Sequence, residues 1–380
     1  MSFTSLGLSA SLLKALADQN YLKPYPIQEK AIPAILTKKD FLGIAKTGSG
    51  KTASYVLPIL NNTNSTEPHK NRHIKILVLV PTRELAIQVD QVFSIFASAL
   101  PDKVKTMAIF GGVSINPQMM AMNNVSILVA TPGRLLELVE SNAVHLSEID
   151  TLVLDEADKM LNLGFKDEMD RILALLPKKR QNLLFSATLS NDVENIKNIL
   201  LDNPNIVKIE SKKEETELID QIAYSVEDSR KGPLLRYLIK KNNLKQVLVF
   251  VSSAFKADAV ANKLNRNGVH GVAIHGDKSM NSRTESLRRF KTGKIRVLIT
   301  TDLLARGIDI EFLPYVINYE LPRSPKDYVH RIGRTGRADN PGEAIAFVSP
   351  EEEHHFKVIQ KKMNKEVKMI DSSEFNMQGY

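Results

Sequence analysis

The chain has 380 residues, 43% of them hydrophobic and 25% charged, which excludes wholesale disorder and predicts two to three domains at about 150 residues each. There is no cysteine, so a disulfide scaffold, a zinc ribbon and a thiol nucleophile are excluded. The formal charge is +8, from 51 Lys and Arg against 43 Asp and Glu, with most of the excess beyond residue 208; an anionic partner fits this, and so does a plain solvated basic surface.

Near the N-terminus Phe3, Leu6, Leu8, Leu12, Leu13 and Leu16 are interleaved with polar residues, which predicts an amphipathic helix and its lead-in. Strand-like runs rich in β-branched residues then recur at 41–45, 76–80, 106–110, 127–130, 151–154 and 182–185. Residues 61–72 read as an exposed polar loop. A second series of runs follows at 246–251, 269–274, 296–300, 315–318 and 343–348. These runs are continuously apolar rather than alternating, as in strands buried on both faces. Helical segments lie between them, so the expected fold is α/β with parallel sheets covered by helices. Charged residues without apolar neighbours at 210–215 carry a linker signature. The expected division is one domain over 1–208, a linker over 209–217, a second domain over 218–368 and a tail over 369–380. No run approaches the ~18 apolar residues of a membrane-spanning helix, and no secretory leader is expected. A cytoplasmic location is the default.

Ala45-Lys46-Thr47-Gly48-Ser49-Gly50-Lys51-Thr52 lies between a predicted strand and a predicted helix. Glycines let the backbone curl so that several N–H groups face one anion, and the helix start adds partial positive charge. Lys51 would reach the β- and γ-phosphates of a nucleotide, and Thr52 would hold Mg²⁺. Asp155-Glu156-Ala157-Asp158 follows the apolar run ending at Leu154. Taken alone, such a tetrapeptide is a favourable helix start. Beside a phosphate loop, Asp155 suits Mg²⁺ and Glu156 suits orienting or deprotonating a water. His330-Arg331-Ile332-Gly333-Arg334-Thr335-Gly336-Arg337 offers planar guanidinium forks for phosphate oxygens, or a basic surface turn. Pro81-Thr82-Arg83-Glu84, Gly111-Gly112, Thr131-Pro132-Gly133-Arg134 and Ser252-Ser253 each fall just past a predicted strand. Singly each is an ordinary turn; together they suggest a track for a nucleic-acid backbone.

In this order the motifs resemble the DEAD-box ATP-dependent RNA helicases over roughly residues 1–350. The opening Met1-Ser2-Phe3 and Leu6-Gly7-Leu8 resemble the bacterial RhlE-like subgroup. The resemblance implies two tandem RecA-like domains, ATP and Mg²⁺ as cofactors, RNA as partner and a monomeric chain. It assigns Tyr21 and Gln28 to the adenine, and Thr47, Gly48, Ser49, Gly50, Lys51 and Thr52 to the phosphates. Gly307 and Asp309 fall to the ribose. Asp155 and Glu156 match the box that names the family, and Ser186-Ala187-Thr188 the motif coupling hydrolysis to strand separation. Arg334 and Arg337 match the arginine fingers, and His330 the residue joining the domains. Contacts to the RNA backbone fall on Arg83, Gly112, Thr131, Arg134, Ser252, Gly276, Arg283 and Thr301. Tyr25, Lys46 and Met280 depart from the family pattern. The implied activity is local, sequence-tolerant separation of short RNA duplexes or remodelling of RNA–protein assemblies. An ATP-gated RNA clamp and a DNA helicase are the rival readings.

Overall fold

The computed structural model describes residues 2–46, 48–63, 71–209, 219–302, 313–336, 342–378 and 380. The chain divides into two compact units, Met1–Ser211 and Lys212–Tyr380. Of the expected linker over 209–217, only residue 209 is among the described residues.

Unit 1 carries seven strands: β1 (Phe41–Ile44), β2 (Ile76–Leu79), β3 (Thr106–Ile109), β4 (Ile127–Ala130), β5 (Thr151–Leu154), β6 (Gln181–Ser186) and β7 (Asn205–Lys208). Its helices are α1 (Ala10–Asp18), α2 (Pro26–Leu36), α3 (Lys51–Asn62), α4 (Arg83–Ala97), α5 (Ile115–Ala121), α6 (Pro132–Glu140), α7 (Ala157–Asn162), α8 (Lys166–Leu175) and α9 (Asn191–Leu200). All strand pairs are parallel, in the order β3-β4-β2-β5-β6-β1-β7.

The continuous apolar runs have a direct cause. Successive strand residues point to opposite faces, and helices cover both. Phe41, Val78, Val129, Val153 and Phe185 pack with residues of α1 to α4, including Leu12, Ile27, Tyr55 and Phe93. Their alternates Leu42, Leu77, Leu79, Leu128, Leu152 and Leu184 pack with residues of α6 to α9, including Leu135, Met160, Met169 and Val193. A polar residue on either face of a central strand would therefore lose its water without gaining a partner.

Unit 2 carries β8 (Ile219–Ser225), β9 (Val247–Phe250), β10 (Gly271–Ile274), β11 (Val297–Thr300), β12 (Tyr315–Asn318), β13 (Gly342–Val348) and β14 (Lys368–Asp371). They too are parallel, in the order β10-β11-β9-β12-β13-β8-β14. Adding seven to each strand number of unit 1 reproduces this order.

Three strands have no counterpart in the runs read from sequence. β7 and β14 are edge strands, and β7 alternates half-buried with exposed residues. Beside β14, β8 interrupts its apolar residues with Asp220 and Gln221. The segment 369–380, read as a tail, begins inside β14 and returns to the core. There Tyr380 meets the Tyr237 ring edge-on at 4.9 Å, and its carbonyl accepts from Arg236 Nε at 3.1 Å.

Candidate nucleotide and RNA site

In a parallel sheet the connections leaving the C-terminal strand ends share one edge, where ligands of such folds bind. Strand order decides which connections become neighbours. In unit 1 β5, β6 and β1 are adjacent, so residues 155–158, 186–188 and, after β1, 45–46 and 48–50 emerge side by side. β3, β4 and β2 form the other half, and bring Gly112, Thr131 and Arg83 together. In unit 1 the strand-end residues that the resemblance assigns to the phosphates and those it assigns to RNA therefore emerge at two halves of one edge.

The phosphate loop turns on glycines. Gly48 has φ +75° and Gly50 φ +86°, in the region that disfavours side chains. Gly50 caps α3, and a Cβ there would stand 2.6 Å from Gln28 Nε2. Its carbonyl instead accepts from Gln28 Nε2 at 3.1 Å. Gln28 Oε1 accepts from the Tyr25 N–H at 2.9 Å. Among the described residues, these bonds leave one N–H and one lone pair of this buried amide, a paired donor and acceptor. Tyr21 is half-buried, edge-on to Phe96 at 5.6 Å. Lys51 is buried and donates from Nζ to the Ala45 carbonyl at 2.8 Å, and Ser49 Oγ donates to the Lys46 carbonyl at 2.8 Å.

The acidic box is tied to both its neighbours. Asp155 Oδ2 accepts from the Tyr55 hydroxyl at 2.9 Å, and Oδ1 from the Glu156 N–H at 2.8 Å. Glu156 adopts φ +52°, a left-handed conformation that costs a non-glycine residue free energy and aims it off the strand axis. Its Oε1 receives Lys159 Nζ at 2.7 Å. Thr188 Oγ1 donates to Asp158 Oδ2 at 2.9 Å, and Ser186 Oγ donates to the Thr188 carbonyl at 2.7 Å. The turn after β6 thus hangs on the box after β5.

Burial pushes the Asp155 carboxyl above its ordinary value, against the opposing charge of Lys51. The native state therefore holds this proton more tightly than the unfolded chain does. By linkage, the contribution of this group to stability falls as pH rises from the ordinary carboxylate range through the raised value. Asp155→Asn removes the ionisation; its Oδ1 can still accept from the Glu156 N–H, and its amide N–H can donate to the Tyr55 hydroxyl oxygen. In EDTA at pH 7 the variant is expected to melt above the parent chain, with the gap closing towards about pH 4. Equal melting temperatures at both pH values would refute a destabilised carboxylate.

Among the RNA candidates, Gly112 has φ +80°, and a Cβ there would stand 2.7 Å from Arg83 Nη1. Thr131 caps α6. Arg134 is buried; its Nη2 donates to the Val113 carbonyl and its Nε to Glu137, both at 2.8 Å.

In unit 2, Ser252, Gly276 and Thr301 follow β9, β10 and β11, again three adjacent strands. Gly276 is exposed and Arg283 buried. The N–H and hydroxyl of Ser252 both donate to Glu320 Oε2 at 2.7 Å. In the arginine-rich segment His330 is exposed and Arg334 buried. Thr47, Gly307, Asp309 and Arg337, with the Met280 side chain, lie outside the described residues.

Four contributors escape sequence reasoning. Arg331 is more deeply buried than Arg334, at 2% against 8% exposure. It binds Asp302 with Nε and Nη2 at 2.5 and 2.7 Å, donates from Nη1 to Asn318 Oδ1 at 3.0 Å, and lies over the Phe250 ring at 4.9 Å. It clamps the ends of three strands rather than offering its fork to a ligand. Glu320 and Lys159 act on motif residues from outside the motifs. Tyr55 is the fourth, and its position gives a signal: four residues past Lys51, it shares that residue's helical face.

Comparison with known proteins fits this geometry. Residues 25–196 match the DEAD/DEAH box helicase family, and residues 230–339 match the helicase conserved C-terminal domain. The ATP-dependent RNA helicase CshA of Listeria monocytogenes is 37% identical over 371 residues, 97% of this chain and 70% of the relative. The chain belongs to the DEAD-box ATP-dependent RNA helicase family. Streptococcus pneumoniae CshA is 40% identical over 369 residues, 97% of this helicase and 69% of the relative. Among solved structures, S. cerevisiae Dbp5 bound to RNA and ADP BeF3 is similar with TM-score 0.85 and 31% identity, covering 98% of this chain and 96% of that one. A DEAD box protein from Methanococcus jannaschii is similar with TM-score 0.56 and 36% identity, covering 97% and 99%. Both sheets are those of RecA-like domains, and the helicase is an ATP-driven enzyme that acts on RNA. Among the described residues no helix is long and apolar enough to cross a membrane.

Proposed function

We propose that this helicase binds ATP over the β5-β6-β1 half of the unit 1 edge and RNA along the β3-β4-β2 half. Turnover is coupled to local, sequence-tolerant separation of short RNA duplexes or to remodelling of RNA–protein assemblies. The observation that carries this reading is the chain of contacts across three adjacent strands: the loop before α3, Asp155 held by Tyr55, and Thr188 held by Asp158. A change in the nucleotide's γ-phosphate reaches the Ser186–Thr188 turn through that chain.

In this reading Tyr21 and Gln28 take the adenine, and Gly307 and Asp309 the ribose. The loop amides over 47–50 cradle the phosphates, and Lys51 exchanges the Ala45 carbonyl for their oxygens. Glu156 aims and deprotonates a water; Arg334 and Arg337 stabilise charge on the γ-phosphoryl group as it transfers from ADP to that water, and His330 serves the ATP-bound state. Arg83, Gly112, Thr131, Arg134, Ser252, Gly276, Arg283 and Thr301 hold the RNA backbone, which makes recognition salt-dependent and tolerant of sequence.

The residues present fit Mg²⁺. Asp155 and Thr52 offer hard oxygens only, and the Asp155 carboxylate is hydrogen-bonded by neutral donors that leave its charge for a cation. One or two such ligands suffice for Mg²⁺ that keeps waters and phosphate oxygens. Asp155 and Thr52 would hold the ion, which would supply charge neutralisation to the nucleotide phosphates. In this reading the chain acts as a monomer in the cytoplasm, and its opening Met1-Ser2-Phe3 and Leu6-Gly7-Leu8 support membership of the RhlE-like subgroup.

The test is steady-state ATPase activity, alone and with single-stranded RNA or DNA, with Lys51→Ala as control. Stimulation by RNA but not DNA, lost in the control, is the expected result. Stimulation by DNA to the same level would move the assignment to a DNA-acting enzyme, and an RNA-independent rate would break the proposed coupling.

A further inference from the structure

Tyr55 lies one helical turn beyond the phosphate loop, buried in the apolar core of unit 1. Its ring is packed between Phe185, at 5.2 Å, and Phe93, at 6.3 Å. Only its hydroxyl is polar, and that hydroxyl reaches Asp155 Oδ2 at 2.9 Å. A tyrosine buried this deeply needs a partner for its O–H. Here the partner is the carboxylate assigned to the metal.

The two bonds on Asp155 do different work. The bond from the Glu156 N–H to Oδ1 lies within a single turn, so it moves with Asp155. The bond from Tyr55 comes from another element, α3, whose first residues are Lys51 and Thr52. The terminal torsion of an aspartate is broad and two-fold, so an outside donor decides where its second oxygen points. That donor is fixed to the helix that opens at the phosphate loop. A phenol suits this place better than a lysine or arginine, because it orients the carboxylate without cancelling its charge.

We propose that Tyr55 is a positioning residue for the metal: its hydroxyl sets the Asp155 carboxylate relative to the phosphate loop and so tunes the affinity for the Mg²⁺ that accompanies ATP. The proposal rests on the reading of Asp155 as the metal-supporting carboxylate. Partners that orient metal ligands typically change metal affinity by about 10- to 100-fold when removed.

The experiment uses the whole chain without RNA, a fluorescent ATP analogue, and Mg²⁺ titrated from EDTA. Tyr55→Phe deletes one oxygen and keeps the packed ring. It is expected to raise the Mg²⁺ concentration for half-saturation about tenfold, at the low end of that range, with analogue affinity in EDTA unchanged. Asp155→Asn is expected to raise it as well, and Tyr55→Phe is expected to add nothing in that background, since the two changes act on one contact. If Asp155→Asn shifts the Mg²⁺ dependence and Tyr55→Phe does not, the inference about Tyr55 fails while the metal reading stands. If Asp155→Asn leaves the dependence unmoved, the metal reading falls first. Equal weakening of analogue binding with and without Mg²⁺ would assign Tyr55 to packing alone and overturn the proposal.

Discussion

Glu156→Gln is expected to bind ATP nearly as tightly as the parent chain and to hydrolyse it about 10³-fold more slowly. The size follows from the role: a positioned general base contributes roughly 10²- to 10⁴-fold, and 10³-fold corresponds to about 4 kcal/mol of barrier. Glutamine keeps the volume and hydrogen-bonding reach of glutamate, so the left-handed turn at φ +52° and the helix α7 behind it are retained. What changes is the charge facing the water, together with the ion pair to Lys159. Because binding survives and turnover does not, RNA bound in the presence of ATP should stay bound. Rapid-quench hydrolysis and an RNA release assay check the two halves separately. A variant that keeps more than a tenth of its turnover, or that releases RNA quickly with ATP bound, would remove Glu156 from the role of base.

Arg334→Ala should lower RNA-stimulated turnover by a similar factor, about 10³-fold, the lower range for loss of an arginine finger. Its affinity for RNA without nucleotide should be unchanged. The backbone at this position is fixed independently of the side chain: the Arg334 N–H bonds the Arg331 carbonyl at 3.1 Å, and its own carbonyl accepts from the Leu313 N–H at 3.1 Å. Truncation therefore deletes the guanidinium from a held position. Arg334→Lys separates charge from geometry, since an ammonium restores the first and not the planar fork. Turnover equal to the parent in the alanine variant would exclude Arg334 from the reaction.

Much of this was legible in the sequence, and the reason differs between fold and site. Central strands read clearly because helices bury both their faces, so β2 (Ile76–Leu79) and β5 (Thr151–Leu154) are unbroken apolar runs. β7, β8 and β14 were not legible, because each mixes polar or exposed residues into its run; an edge position alone is not the cause, since the edge strands β3 and β10 read as apolar runs. The phosphate loop and acidic box read locally, since each is a contiguous stretch whose chemistry lies in its own residues. Contacts made across the sheet do not. Tyr55 to Asp155 spans a hundred positions, Gln28 to Gly50 twenty-two, and Thr188 to Asp158 thirty. Arg331 is the sharpest case. It stands three residues before Arg334 in a stretch that reads as phosphate forks or a basic surface turn, yet Asp302, Asn318 and Phe250 enclose it. Only packing separates the structural arginine from the exposed histidine before it.

The shared strand order of the two sheets has an evolutionary reading. Two domains wired alike, strand for strand, are what tandem duplication of one ancestral module leaves behind. The copies have since diverged where it matters. After β1 the chain makes a glycine loop into a helix that opens with Lys51; after β8, at the corresponding place, it makes Val226-Glu227 and opens a helix with Asp228. An acidic helix start repels the phosphates that a lysine attracts. After β8, unit 2 therefore has neither the lysine nor the glycine loop with which unit 1 can face a phosphate, so sheets wired alike present chemically opposite turns at the same place.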